Sequence, residues 1–171
     1  MTMLRLDLNR LGREGSVQVE AELPVDAPLW DEGDFPWAGP VGVKLQASNA
    51  GSGEIVVRGA IEGVLARECR RCLEPVLVRF EHDLTAVFVE SGASDTEDDE
   101  GVYVYDSSAE LDLSSAVREE ILLAVDPYVV CESDCLGLCS ICGVNRNTGS
   151  CSCSSDEPDP RWEALRALKE K

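Results

Sequence analysis

The chain has 171 residues and a formal net charge of −18, and it contains no run of about 18 apolar residues. Its size suits one domain, or one domain with a small appendage, and the lack of such a run argues against a membrane span. With 33 acidic against 15 basic residues it is a poor general partner for nucleic acid, because phosphate affinity comes mainly from lysine and arginine. The balance favours a basic protein partner or none.

The first 15 residues lack an apolar stretch followed by a small-residue cleavage site, so we expect a cytoplasmic protein. In that compartment thiols stay reduced. Close-set cysteines therefore favour metal ligation or redox catalysis over structural disulfides.

Apolar residues at every second position predict four half-buried strands and a shorter fifth. The segments are SVQVEAEL (16–23), VGVKLQAS (41–48), EIVVRGAIEGVLA (54–66), VLVRFEHDLTAVFVE (76–90) and VYVY (102–105). Between the first two lies a loop rich in Pro, Gly and Asp. We expect its Trp30, Phe35 and Trp37 to pin it to its own domain rather than to bind a ligand.

Residues 90–101 include six carboxylates and no base. Such a segment cannot pack at reasonable cost, so it predicts a solvated, mobile loop; a docking strip for a basic partner is the alternative.

The apolar period then becomes helical. Leu113, Val117 and Ile121 recur at four-residue steps, which predicts one packing helix near residues 112–125, with Asp112 as its N-cap and Pro127 beyond its end. A second, short amphipathic helix is predicted over 159–171.

These elements predict an α+β fold: an antiparallel sheet or partly open barrel with one packing helix and a C-terminal Cys-rich, zinc-ribbon-like lobe. We expect a β-rich domain over residues 1–126 and a zinc-binding lobe with the C-terminal helix over 127–171.

Eight cysteines divide naturally into two four-coordinate sites, and two Cys-x-x-Cys pairs anchor them. Two intervening residues let a tight turn aim both sulfurs at one ion, and the glycine at 143 suits a turn of positive φ. The expected zinc ligands are Cys69, Cys72, Cys131 and Cys135 in one site, and Cys139, Cys142, Cys151 and Cys153 in the other. A competing assignment groups Cys135, Cys139, Cys142 and one of the last two.

Three arginines lie near the first pair in sequence: Arg67, Arg70 and Arg71. We expect them to offset the negative charge of the thiolates or to contact RNA. An all-thiolate set suits iron as well as zinc. Redox chemistry on Cys69 and Cys72 is the rival interpretation, because nearby arginines lower a thiol pKa.

An enzyme is not expected. His82 is the only histidine and is most simply a surface residue; no phosphate-binding glycine loop and no nucleophile–base constellation is present.

Five segments follow one another in this order: CRRCLEPV, the acidic loop, DLSSAVREEILLAVDPYVVC, CLGLCSICGVNRNTGSCSC and DPRWEALRALK. Together they resemble the bacterial YceD family, the large ribosomal RNA subunit accumulation proteins. The resemblance covers about residues 40–171. It implies a non-enzymatic role in ribosome biogenesis, with a ribosomal protein or a pre-ribosomal large-subunit particle as partner and no membrane or small-molecule substrate. Some relatives keep only the first cysteine group, which supports the division into two self-contained sites.

Overall fold

The structure is a computed structural model that describes residues 4–31, 35–51, 53–92, 101–106 and 109–154, and the statements below concern these residues. They divide into two compact units. The first contains the chain up to Arg67 together with Leu77–Pro127, and the second contains Glu68–Val76 together with the chain from Tyr128 onward. The predicted C-terminal helix and residues 93–100 of the acidic loop lie outside the described residues.

The described residues form seven strands and two α-helices, and a 3-10 turn spans Pro28–Trp30. In chain order they are β1 (Arg5–Asp7), α1 (Leu8–Glu14), β2 (Ser16–Leu23), β3 (Val41–Ala50), β4 (Glu54–Glu68), β5 (Pro75–Glu90), β6 (Val102–Tyr105), β7 (Glu110–Asp112) and α2 (Ser114–Ala124).

The main sheet is open and has the strand order β2-β3-β4-β5-β6. Strands β2, β3 and β4 pair antiparallel, in agreement with the predicted antiparallel sheet. The α+β class is confirmed. The exception to the antiparallel sheet is β6, which pairs parallel to the end of β5, with Val87 opposite Val102. Alternation predicts that a segment is a strand, but it does not specify the direction of its neighbour.

Alternate residues of β3, β4 and β5 are buried, so one face of the sheet packs against the core. Helix α2 covers this face with Ala116, Val117 and Ile121, and Leu113 just before the helix is buried too. The helix is shorter than predicted. Its N-cap position is Leu113, while the Asp112 carboxylate accepts a hydrogen bond from the backbone N–H of Ser114 at 2.9 Å.

The aromatic loop packs onto its own unit, as expected. Trp30, Phe35 and Trp37 are buried in the core cluster, with the Trp30 and Trp37 ring centroids 5.5 Å apart. The indole N–H of Trp30 donates to the carbonyl of Pro24 at 2.9 Å. A Cβ atom at Gly63 would lie 2.7 Å from the Trp37 ring, so glycine is needed there for the ring to reach the sheet.

The N-terminal elements were not predicted. Strand β1 pairs antiparallel with β7, with Leu6 opposite Leu111. Helix α1 begins at the N-cap Asp7, whose carboxylate accepts from the Arg10 N–H at 2.9 Å. These pieces close one end of the first unit.

Candidate metal centres

The first Cys-x-x-Cys turn joins β4 to β5 and belongs to the second unit. Two backbone hydrogen bonds close this turn. The N–H of Leu73 donates to the carbonyl of Cys69 at 2.8 Å, and the N–H of Cys69 donates to the carbonyl of Glu74 at 2.9 Å. Leu73, the residue after Cys72, has a φ of +62°. This is the left-handed region, which a side chain with a Cβ enters at a cost.

The second turn repeats this backbone pattern. The N–H of Gly143 donates to the carbonyl of Cys139 at 2.9 Å, and the N–H of Cys139 donates to that of Val144 at 2.8 Å. Gly143, the residue after Cys142, has a φ of +74°, as the sequence predicts. Both turns thus aim two sulfurs in the same direction from the same local geometry.

Four sulfurs meet at the first turn in a group that we call the buried cluster: Cys69, Cys72, Cys131 and Cys135, whose Sγ atoms all lie within 4.8 Å of one another. The Cys69–Cys135 and Cys72–Cys131 sulfur distances are 3.8 and 3.7 Å. A tetrahedral ion with metal–sulfur bonds of about 2.3 Å spaces its sulfurs about 3.8 Å apart. The donor set therefore fits such an ion without rearrangement.

The other four sulfurs meet at the second turn in a group that we call the exposed cluster: Cys139, Cys142, Cys151 and Cys153, again within 4.8 Å of one another. Cys139 is half-buried and the other three are exposed. None of the eight cysteines forms a disulfide. The structure thus brings together the two sets expected from spacing, and Cys135 lies with the buried cluster rather than with Cys139 and Cys142.

Hydrogen-bond donors surround the sulfurs of the buried cluster. The backbone N–H of Arg71 donates to Cys69 Sγ at 3.4 Å, and the side-chain amide of Asn147 donates to Cys135 Sγ at 3.3 Å. Such donors stabilise thiolate, the form in which cysteine binds metal. Asn147 was not predicted; its signal in the sequence is an asparagine in the short loop between two cysteine pairs.

One thiol in each cluster ionises readily. Burial by itself raises the pKa of Cys69, but hydrogen bonds from surrounding backbone N–H groups, that of Cys131 first, outweigh burial and lower the pKa to about 6. Backbone N–H groups of Cys142 and Ile141 lower the pKa of Cys139 to about 6 in the same way.

Another thiol in each cluster holds its proton. A hydrogen bond shared with Cys135 raises the pKa of Cys131 to about 12, and one shared with Cys142 raises the pKa of Cys153 to about 12. A cation that binds all four sulfurs must therefore displace protons, so its affinity rises with pH.

Comparison with known proteins bears on what these clusters serve. The family model described as "Large ribosomal RNA subunit accumulation protein YceD" matches residues 57–169, which include all eight cysteines. The chain belongs to the YceD family. That family is named for an accumulation factor and not for an enzyme.

Several YceD-like relatives align over much of this chain. A Mycobacterium tuberculosis (H37Rv) protein described as uncharacterized is 30% identical over 173 residues, covering 95% of this chain and 79% of the relative. A Zea mays protein named "Large ribosomal RNA subunit accumulation protein YCED homolog 1, chloroplastic" is 27% identical over 181 residues, covering 89% of this chain and 61% of the relative. No solved structure matches the chain.

The predicted arginines take different places in this YceD family member. The Arg71 guanidinium donates to the carbonyl of Cys135 at 3.1 Å, so it braces the backbone of a ligand rather than touching sulfur. Arg70 lies over the Tyr128 ring, 4.4 Å from its centroid. Arg67 is half-buried in β4.

The single histidine makes a structural contact. His82 Nε2 lies 3.0 Å from a carboxylate oxygen of Glu120 on α2 and is half-buried, so it joins helix to sheet within the first unit. Among the described residues, no helix is long and apolar enough to cross a bilayer.

Proposed function

We propose that this chain is a non-enzymatic ribosome biogenesis factor of the cytoplasm that supports accumulation or processing of large-subunit ribosomal RNA. The observation that carries the proposal is the YceD family match over residues 57–169, because that family is named for accumulation of the large ribosomal RNA subunit. The chloroplastic relative in maize has a name of the same kind and aligns with 89% of this chain.

Two structural zinc ions are part of the proposal, one in each four-sulfur cluster. Among its described residues, the second unit has a hydrophobic cluster of three cysteines with Val76, Val130 and Leu138 packed against them. A core of that size contributes little to stability, whereas a structural zinc contributes roughly 10 to 16 kcal/mol at neutral pH. Iron suits the same donors, and elemental analysis distinguishes the two metals.

The proposed partner is a basic ribosomal protein, free or within a pre-ribosomal large-subunit particle. The net charge of −18 repels bare RNA, and metal binding by eight thiolates would deepen it to about −22. Several arginines of the first unit already pair with carboxylates: Arg5 with Glu110, and Arg79 with Glu81. Positive charge that is paired in this way is a weak attractor for phosphate.

A thiol–disulfide oxidoreductase using Cys69 and Cys72 is the second candidate, favoured by the lowered pKa of Cys69. Burial argues against it. Cys69 and Cys72 are 0% and 4% exposed, and a redox nucleophile must be reached by its substrate. The surrounding sulfurs of Cys131 and Cys135 instead suit a closed metal site.

Crosslinking in growing cells, followed by purification of the chain, tests the proposed partner. We expect a basic large-subunit ribosomal protein to be recovered, and ribosomal RNA only together with it. Depletion of the protein should lower the amount of large-subunit ribosomal RNA.

The matched control uses charge reversal at Arg67 and Arg70, whose guanidinium groups are not the one that braces Cys135, and it should leave recovery of the ribosomal protein unchanged. If RNA is recovered after ribosomal proteins are stripped away, and if these substitutions abolish its recovery, the chain binds RNA directly and the proposed partner is wrong.

A further inference from the structure

A loop closed by the exposed cluster reaches into the buried cluster. The loop runs between Cys142 and Cys151, and its Asn147 contacts a ligand of the other site: the amide nitrogen donates to Cys135 Sγ at 3.3 Å. The amide oxygen of the same side chain accepts from the backbone N–H of Leu136 at 2.8 Å. One side chain thus fixes both the sulfur of a buried ligand, Cys135, and the backbone of the residue that follows it.

The loop itself holds Asn147 in place. The backbone N–H and the side-chain amide of Asn147 both donate to Asn145 Oδ1, at 3.0 and 2.9 Å. The carbonyl of Asn145 accepts from the N–H of Gly149 at 2.8 Å, which tightens the loop just before Cys151. The position of Asn147 therefore depends on a loop whose two ends are ligands of the exposed cluster.

The two clusters differ in their access to solvent. In the buried cluster Cys69, Cys72 and Cys135 are at most 7% exposed, while Cys131 faces solvent. In the exposed cluster Cys142, Cys151 and Cys153 all face solvent and Cys139 is half-buried. A competing ligand can therefore reach three sulfurs of the exposed cluster directly, but only Cys131 of the buried cluster without local opening.

We propose that the exposed cluster is an exchangeable metal site, and that its occupancy sets how tightly the buried cluster holds its own ion, with Asn147 as the positioning residue. The inference rests on the proposed metal sites. When the exposed cluster loses its ion, the loop is released, Asn147 leaves Cys135, and the buried site loses a hydrogen bond to one ligand. Linkage makes the effect reciprocal, so an ion in the buried cluster tightens the exposed one.

Exchange of the bound zinc against an excess of isotopically labelled zinc, read by native mass spectrometry of the full-length chain, tests the proposal, because the excess keeps the exposed cluster occupied while the buried ion leaves. The wild-type chain should exchange two ions per chain in two phases, and the fast phase should vanish when Cys151 and Cys153 are both changed to Ser. That variant assigns the fast phase to the exposed cluster.

Asn147→Ala should speed the slow phase about 10- to 100-fold, the loss in metal affinity usual when a hydrogen-bond partner of a ligand is removed. Thr148→Ala is the matched control, because the Thr148 hydroxyl donates to the carbonyl of Asn145 at 3.5 Å rather than to a sulfur. It should leave the slow phase unchanged.

The decisive comparison combines the substitutions. In the chain with Cys151 and Cys153 changed to Ser, the remaining ion should already leave as fast as the slow-phase ion of Asn147→Ala, and adding Asn147→Ala should change nothing more. If the rate increases caused by Asn147→Ala and by the two Cys→Ser changes are additive, the proposed coupling between the clusters is wrong. The coupling is also wrong if the slow phase does not respond to loss of the exposed cluster, and in both cases the two metal sites themselves remain. A chain that binds no ion would overturn the metal sites themselves. Circular dichroism of each variant, dominated by the first unit, reports that the protein is folded.

Discussion

Leu73 and Gly143 occupy the same position in two turns that share one hydrogen-bond pattern, yet only one of them is a glycine. Leu73 has a φ of +62° and a side chain that is 58% exposed, so it adopts the left-handed backbone without burying much surface in return. We expect Leu73→Gly to stabilise the second unit by about 1 kcal/mol, since relief of roughly 1 to 2 kcal/mol of strain is partly offset by the greater entropy of glycine in the unfolded chain.

The reverse change at the equivalent position is the control. Gly143 has a φ of +74°, and a Cβ atom there would meet nothing within 4 Å, so Gly143→Ala should cost about 1 kcal/mol from backbone strain alone. Denaturant titration at a fixed excess of zinc measures both. A Leu73→Gly chain no more stable than wild type would contradict the strain argument.

At the residue scale the sequence predicts the eight sulfurs and their two groups, because ligand spacing is local and few residue types bind metal as thiolates do. It does not predict Asn147. An asparagine in a loop has many possible roles, and only the folded loop brings its amide within 3.3 Å of Cys135. The role of the arginines stays a prediction, because proximity in sequence does not fix where a long side chain ends: Arg71 donates to the carbonyl of Cys135, while Arg70 lies over Tyr128.

Among the elements, β4 has a close approach to the aromatic loop that can be tested. A Cβ at Gly63 would lie 2.7 Å from Trp37 Cζ3 and 3.1 Å from its Cε3. Gly63→Ala should destabilise the first unit by about 1 to 3 kcal/mol, the usual cost of overpacking a core. Tryptophan fluorescence during denaturant unfolding reports the loss, since Trp30 and Trp37 are both buried there.

Gly12→Ala is the matched control for Gly63→Ala. Gly12 is exposed in α1 and a Cβ there meets nothing within 4 Å, so alanine should stabilise the helix by up to about 1 kcal/mol. Equal effects of the two substitutions would mean that the Trp37 contact has no energetic weight.

The contact between β6 and α2 makes the stability of the first unit depend on pH in the alkaline range. Burial, and then the hydrogen bond that the Tyr103 hydroxyl donates to Glu119 at 2.9 Å, raise the pKa of Tyr103 above its ordinary value of 10.0. A raised pKa contributes stability that is fully present below the unfolded value and is lost as pH rises toward the folded one.

We therefore expect the free energy of unfolding of the first unit to fall above about pH 10, and to fall less steeply in Tyr103→Phe. Denaturant titrations at a series of alkaline pH values, read by tryptophan fluorescence, measure both slopes. Identical slopes would show that Tyr103 ionises as freely in the folded chain as in the unfolded one.

Strands β2 to β5 are predictable because their alternation runs over eight or more residues and reports a buried face directly. Strands β1 and β7 are not, since each has three residues and pairs with a partner more than 100 positions away. Helix α1 has seven residues, of which only Leu11 is fully buried, so its apolar period is too short to detect.

For the whole molecule, the acidic charge is the ground on which we propose a protein client rather than bare RNA. The two clusters differ in burial: three of four cysteines are buried in the buried cluster, and none is buried in the exposed cluster. The division of the chain into a β-rich domain over 1–126 and a metal-binding lobe over 127–171 stays a prediction. The described part of the second unit buries only three cysteines, with Val76, Val130 and Leu138 packed against them, and on this ground we propose that the unit needs its ions to fold.

The native mass of the protein, purified without added metal, tests that dependence most directly. We predict a mass that exceeds the chain by two metal ions, with no thiol open to alkylation in the buried cluster until a chelator removes them. A mass equal to the chain alone, with eight titratable thiols and an unchanged fold, would contradict the account.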